Sequence, residues 1–303
     1  MKPPPFGYSR PESVTEAVAA LAALGPDGKV LAGGQSLLPL LSMRLAAPHH
    51  LVDINRLHEL AYVRVDGGAV RVGALARHAA VLADPAARKA QPLLAQALRL
   101  VAHATIRNRG TTVGSIVHAD PSGEMTAVLA LLDGSVRVAS AAGTRDVPAA
   151  EFFLGPLESA VQAGELAVEA GFPVLPARAG TAFVEVARRH GDYAVCGVGA
   201  LVQLDHDGTV VSARAAYLSV ASTPLVLDLT EALPIASAPS SPSRAPGLIV
   251  GAEFAAAAEL AREQVEPEAD IHASADYRRH LVGVLTSRAL AEATANARER
   301  AAA

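Results

Sequence analysis

Two prolines, Pro173 and Pro176, lead into the small residues from Ala177 to Gly180, and the hydrophobic pattern on either side of them differs. Before this point short strand-like runs alternate with runs at helical spacing. After it come three strand-like runs, Ala182 to Ala187, Val195 to Leu204 and Val210 to Val220, and then two helical runs, about Ala252 to Val265 and Ala275 to Arg298. The second part reads as an antiparallel sheet with helices, and the whole as α+β. A chain of 303 residues suits two or three domains, and 51% hydrophobic against 18% charged residues supply their cores.

In the first part, Val14, Ala17, Val18 and Leu21 share a helical face, with Ser13 as cap and Gly25-Pro26 as stop. Lys29 to Ala32 is a short strand that Gly33-Gly34 breaks. Ser36 is expected to cap a helix through Leu45, with Pro39 in its first turn, where the missing N–H costs no internal bond. Leu51 to Ile54 reads as the next strand. Val63, Val65, Val70 and Val72 alternate around Asp66-Gly67-Gly68, a hairpin signature that opens a second subdomain. Helical stretches follow over His78 to Leu82 and Gln91 to His103. From Ile106 to Ser115 the periodicity stops, so this segment reads as a long loop. Ser122 to Leu132 is helical again, Ser135 to Val147 reads as paired strands, Glu165 to Phe172 as another strand, and Pro234 to Pro246 as a loop.

Composition excludes several functions. Twenty-six basic against thirty acidic side chains give a formal charge of -4, so no overall field draws nucleic acid or an anionic membrane. One cysteine, Cys196, cannot form an internal disulfide or hold a four-cysteine zinc or iron–sulfur site, and its apolar strand argues against a nucleophile. Met1 to Arg10 lacks the apolar core of a secretory signal, and no run approaches the roughly 20 apolar residues of a membrane span. The expectation is a soluble, cytoplasmic protein.

Two turns could carry chemistry. In Ala32-Gly33-Gly34-Gln35-Ser36, after a strand and before a helix, several backbone N–H groups can face one point where glycine admits a phosphate. An ordinary strand-to-helix turn would have the same residues. Without a Gly-Lys-Ser/Thr ending it is no nucleoside triphosphate loop. The second is Thr111 to Ser115, with Arg107 and Arg109 before it and His118-Ala119-Asp120-Pro121 after it. Its hydroxyls and glycine can donate to a diphosphate, and Asp120 and Glu124 can accept from sugar or ribityl hydroxyls. A polar loop with surface ion pairs is the plainer reading. One such turn holds a phosphate, and two could clamp a dinucleotide. His118 and Asp120 lack a third metal ligand at suitable spacing, and Gly197-Val198-Gly199 sits in a strand context, so it is read as core.

Ala32-Gly33-Gly34-Gln35-Ser36-Leu37-Leu38-Pro39, Ile106-Arg107-Asn108-Arg109-Gly110-Thr111 and His118-Ala119-Asp120-Pro121, in this order, resemble the FAD-binding medium subunit of molybdenum hydroxylases, the group that includes carbon monoxide dehydrogenase and xanthine dehydrogenase. The likeness continues through Gly191-Asp192-Tyr193-Ala194 and Tyr277-Arg278-Arg279-His280-Leu281. It implies a vanillyl-alcohol-oxidase-like (PCMH-type) FAD-binding fold in two subdomains, residues 1–56 and 57–176, and a C-terminal flavoprotein domain over 177–303. By the same resemblance Ala32, Gly33, Gly34, Gln35, Ser36 and Leu37, with Thr111, Thr112, Val113, Gly114 and Ser115, hold the FAD diphosphate. His118 belongs to the same set, Asp120 and Glu124 lie near the cofactor's hydroxyls, and Leu166 and Tyr193 flank the isoalloxazine.

The family usually has Thr-Ile-Gly-Gly or Thr-Val-Gly-Gly where this chain has Thr111-Thr112-Val113-Gly114. If the family geometry needs a positive φ at the replaced glycine, Val113 would be strained by about 1 kcal/mol or more, so either an ordinary φ or a displaced loop is expected. The resemblance further implies an electron-exit module. Electrons would pass from a molybdenum cofactor on a large subunit through two [2Fe-2S] clusters on a small subunit to this chain's FAD and then to an external acceptor, with two copies of each subunit. No group here is expected to act as a catalytic acid or base. A self-sufficient flavoprotein oxidoreductase and a flavin-free assembly module are the alternatives.

Overall fold

The computed structural model describes residues 1–233 and 252–302, and the loop expected over Pro234 to Pro246 lies outside them. The chain forms two compact units, one of residues 1–120 and 132–174, the other of residues 121–131 and 175–303.

The first unit begins with β1 (Gly7–Ser9), α1 (Val14–Leu24), β2 (Gly28–Leu31), α2 (Leu37–Met43) and β3 (His50–Asp53). Ser13 accepts from the Glu16 N–H and caps α1, which buries Ala17, Val18 and Leu21. β3 lies between β1 and β2, parallel to both, and its Leu51 and Val52 are buried. Both the β2–α2 turn and the end of β3 therefore emerge at one edge of this small sheet, with Leu31 beside Asp53. Leu38 donates to the Gly34 carbonyl at 3.0 Å, so Gly34, at φ 73°, closes the turn that starts α2.

Next come β4 (Val63–Asp66) and β5 (Ala69–Gly73), joined at Gly67 and Gly68 with φ 55° and 77°, as the hairpin signature requires. Helices α3 (His78–Ala83), α4 (Pro85–Ala90), α5 (Pro92–Leu98), α6 (Ala104–Arg107) and α7 (Thr112–His118) follow. Here the expected loop from 106 to 115 is corrected. Most of it is helical, and Thr111 caps α7 by accepting from the Gly114 N–H at 3.1 Å. Four- and seven-residue helices are too short for hydrophobic period to declare them. The helix expected to run to His103 stops at Leu98, and Arg107 covers the carbonyls of Val101 and Ala102.

Helix α8 (Glu124–Leu131) belongs to the second unit. The chain then returns to the first through β6 (Ser135–Ser140), β7 (Gly143–Pro148), α9 (Ala149–Phe152), β8 (Phe153–Gly155), β9 (Glu158–Ser159) and β10 (Leu166–Pro173). Strands order β4-β5-β10-β6-β7 in an antiparallel sheet. Central β10 is buried from Leu166 to Phe172, and it carries one carboxylate, Glu169. Tyr62 donates to Glu169 at 2.6 Å, and Arg71, Arg64 and Arg137 lie at 2.8, 3.4 and 3.5 Å, which makes so buried a charge tolerable.

In the second unit β11 (Ala179–Ala187), β12 (Ala194–Leu204), β13 (Val210–Leu218) and β14 (Leu225–Asp228) form an antiparallel meander. Three of these strands are the ones read from the sequence. β12 is apolar almost throughout because both faces are covered, α8 packing on one and α11 (Ala275–Ala302) on the other. A Cβ at Gly180 would run into the Ala293 carbonyl and Ala297 N, so α11 lies directly on the strand backbone there. A shorter helix, α10 (Ala255–Glu263), completes the described elements.

Candidate functional site

The two turns singled out in the sequence meet. A Cβ added at Gly33 would lie 2.5 Å from the Arg109 carbonyl oxygen, 2.8 Å from Gly110 Cα and 3.1 Å from Thr111 N, so the backbones touch where Gly33 has no side chain. In the first turn, the backbone N–H groups of Gly33, Gly34, Gln35, Ser36 and Leu37 find no acceptor among the described residues. The Gln35 side chain folds back and donates to the Gly33 carbonyl at 3.0 Å, leaving these N–H groups clear. Ser36 stands at the N-cap position of α2 with φ −95° and its side chain makes no capping bond, which corrects the cap expected from the sequence.

In the second turn Thr112 N–H bonds the Ala76 carbonyl, Gly114 N–H bonds Thr111 Oγ1 and Ser115 N–H bonds the Thr111 carbonyl, while Val113 N–H has no acceptor among the described residues. Val113 has an ordinary helical backbone and is 2% exposed, so the glycine-to-valine change brings no backbone strain. At the adjacent Gly114 a Cβ would lie 2.5 Å from Thr111 Oγ1, so a side chain there would displace the hydroxyl that caps α7. Unused N–H groups at two helix starts, with glycine beside them, suit an anion bearing several oxygens. Two arginines add charge. Arg77 donates to the Arg109 carbonyl, and burial first, then the Arg109 guanidinium, hold the Arg77 pKa below its ordinary value.

Residues that the sequence reading passed over support the site from behind. Asn55, two residues beyond β3, donates to the Ala32 carbonyl at 2.8 Å and to Asp53 Oδ1 at 2.6 Å, and accepts from Arg77 Nη2 at 2.7 Å. Tyr8 donates to Asp53 Oδ2 at 2.6 Å. Burial raises the Asp53 pKa, but bonds from Tyr8 and Asn55 outweigh it and hold the carboxyl below its usual value. His78, 4% exposed, packs its ring against Gly110 and bonds Thr112 Oγ1 through Nδ1 at 3.2 Å. Burial, with Arg107 nearby, pushes its pKa down to about 4, so it is neutral near pH 7. The sequence signal for Asn55 was a polar pair, Asp53 and Asn55, at a strand end beside a glycine turn.

The remaining candidates lie on other elements. His118 ends α7 with Nε2 4.0 Å from Asp120 Oδ2, and burial lowers its pKa, opposed by Asp120. Leu166 is 2% exposed and packed within β10, paired with Ala139, so its side chain is a core group of the sheet. In the second unit, Glu124 opens α8, and Tyr193 is 65% exposed just before β12. Arg278, from the motif noted near the C-terminal end, donates to the Val195 and Ser219 carbonyls and to Asp270 at 2.6 Å, fixing the backbone that follows Tyr193. Burial raises the Asp270 pKa, but N–H bonds from His272 and Ala273 and the Arg278 guanidinium bring it to about 2. Among the described residues no group of three potential metal ligands occurs, and no helix is long and apolar enough to cross a membrane.

Residues 4–175 match the family described as FAD binding domain in molybdopterin dehydrogenase, and residues 181–293 match the CO dehydrogenase flavoprotein C-terminal domain. The chain is 40% identical to the 6-hydroxypseudooxynicotine dehydrogenase complex subunit alpha of Paenarthrobacter nicotinovorans, over 98% of this chain and 97% of that one. It is 37% identical to the carbon monoxide dehydrogenase medium chain of Hydrogenophaga pseudoflava, over 96% and 97% of the two chains. Among solved structures, quinoline 2-oxidoreductase from Pseudomonas putida 86 aligns with a TM-score of 0.88 and 37% identity, over 98% of this chain and 99% of that chain.

Proposed function

This chain belongs to the FAD-binding medium subunits of the molybdenum hydroxylases, and on that footing we propose that it is the electron-exit subunit of a three-component complex, with its turns at 32–37 and 111–115 holding the cofactor's diphosphate. When bound, FAD would supply the redox chemistry for carrying electrons from [2Fe-2S] clusters of a small partner subunit, downstream of a molybdenum cofactor on a large one, to an external acceptor. The chain's own part is to bind and orient. The N–H groups of Gly33 to Leu37 and of Val113 would donate to diphosphate oxygens, and Arg77 and Arg109 would balance their charge. Asp120, Glu124 and His118 offer acceptors or a neutral imidazole for the cofactor's hydroxyl-bearing part, and Tyr193 an aromatic surface for its ring. We do not extend that ring role to Leu166, whose side chain is occupied in the β10 core. We place two copies of each subunit in a cytoplasmic complex.

The observation that supports this reading best is the contact of the two turns at Gly33, each of which carries backbone N–H groups with no acceptor among the described residues. The relatives' names cover 6-hydroxypseudooxynicotine, carbon monoxide and quinoline, and we assign the choice of substrate to the partner that holds molybdenum. In the purified complex the organic or inorganic substrate should bleach the flavin band near roughly 450 nm, whereas this chain with FAD alone should not respond. Bleaching of the isolated chain would instead mark a self-sufficient oxidoreductase, and a complex without the band would mark an assembly module.

A further inference from the structure

We infer that Asn55 and Arg77 are positioning residues that act as one clasp, fastening the first diphosphate-binding turn to the second. The inference rests on the FAD reading above and adds the device that keeps the site formed. Asn55 is tied on three sides: its amide donates to the Ala32 carbonyl at the root of the first turn and to Asp53, and its carbonyl oxygen accepts from Arg77. Arg77 spends its other guanidinium nitrogen on the Arg109 carbonyl, the same oxygen that closes over Gly33. Its backbone also bridges Thr111, and the next residue donates to the Gly110 carbonyl at 3.0 Å. The path Ala32–Asn55–Arg77–Arg109 thus joins the turns through side chains, and Asp53 with Tyr8 anchors it to the sheet edge.

The chemistry of each member fits the task. An amide can donate and accept at once, which a carboxylate cannot, so Asn55 can hold a carbonyl and a guanidinium together. The planar fork of Arg77 reaches two acceptors that a single ammonium cannot span together. Neither side chain needs to touch the cofactor. Their contribution is to present the N–H groups of both turns already aligned, so that binding does not have to order them.

The test uses the full chain with its natural FAD in Asn55→Ala, Arg77→Met, Arg77→Lys and the Ala/Met double variant, with dissociation constants from flavin titration and the thermal midpoint of the flavin-stripped protein. Each of the first two is expected to weaken FAD binding about ten- to a hundredfold, the range for losing a charge-assisted hydrogen bond. The double variant should bind no worse than the weaker single, since the second cut opens a clasp already open. Arg77→Lys, which keeps the charge and one bond, should fall between wild type and Arg77→Met. Wild-type affinity in the singles, or losses that simply add in the double variant, would overturn the clasp. A wild-type chain that takes up no FAD would bring down the functional reading itself, which is a separate result.

Discussion

Replacing Gly33 by alanine tests the convergence of the two turns with one methyl group. The added carbon would stand 2.5 Å from the Arg109 oxygen and 2.8 Å from Gly110 Cα, and both are backbone atoms that no rotamer change can move. Ordinary contact begins near roughly 3.4 Å, so the turns must part by about 0.9 Å. Overpacking of this kind costs about 1–3 kcal/mol in stability. The larger effect falls on the cofactor, because hydrogen bonds weaken steeply once donors leave their positions. If one or two charge-assisted bonds of about 1.5–3 kcal/mol are lost, FAD affinity falls by about tenfold to about twenty-thousandfold. Flavin content of the purified protein and calorimetric titration of the stripped protein give the number. Gly25→Ala is the control: at φ 56°, with no atom within 4 Å, it imposes backbone strain away from the site. It should lower the melting temperature and leave FAD affinity alone. Unchanged affinity in Gly33→Ala, with the protein folded, would refute the reasoning.

Other expectations follow from the same geometry. Val113→Gly, which restores the family residue, should cost about 2–4 kcal/mol in thermal or urea unfolding through lost burial and helix propensity, with no gain in FAD affinity. His78 has a folded pKa of about 4 against 6.5 when free, so its contribution is complete above pH 6.5 and is lost as pH falls toward 4. At pH 5 the loss is about 2 kcal/mol, and His78→Gln should flatten that part of a stability-against-pH curve. Glu185 has an Oε2 with no hydrogen-bond partner among the described residues, and burial pushes its pKa up to about 7 from 4.5. The destabilisation grows as pH rises from 4.5 to 7. Glu185→Gln should therefore stabilise the protein by about 3 kcal/mol at pH 8 and by little at pH 4, measured by urea unfolding.

The sequence was most legible where one local rule was enough. Ser13 capped its helix, Asp66-Gly67-Gly68 turned a hairpin, and three long strands followed Pro176. It misled where a short element depends on its surroundings. Thr111 is a good N-cap residue, but a seven-residue helix behind it shows no period, and its stability comes from burying Val113 and Ile116. Ser36 has the right chemistry for a cap, yet Gly34 bends the backbone so that the start of α2 is tied through the Gly34 carbonyl instead. Asn55 and Arg77 were hidden for a different reason. Their value lies in bonds to carbonyls of Ala32 and Arg109, far from each other in sequence and invisible until the chain is folded.

The most direct measurement is an experimental structure of the FAD-loaded protein at a resolution that shows the diphosphate. Its oxygens should lie within about 3.2 Å of backbone nitrogens from both Gly33–Leu37 and Val113. A diphosphate bound by only one turn, or a flavin held elsewhere in the chain, would contradict the account.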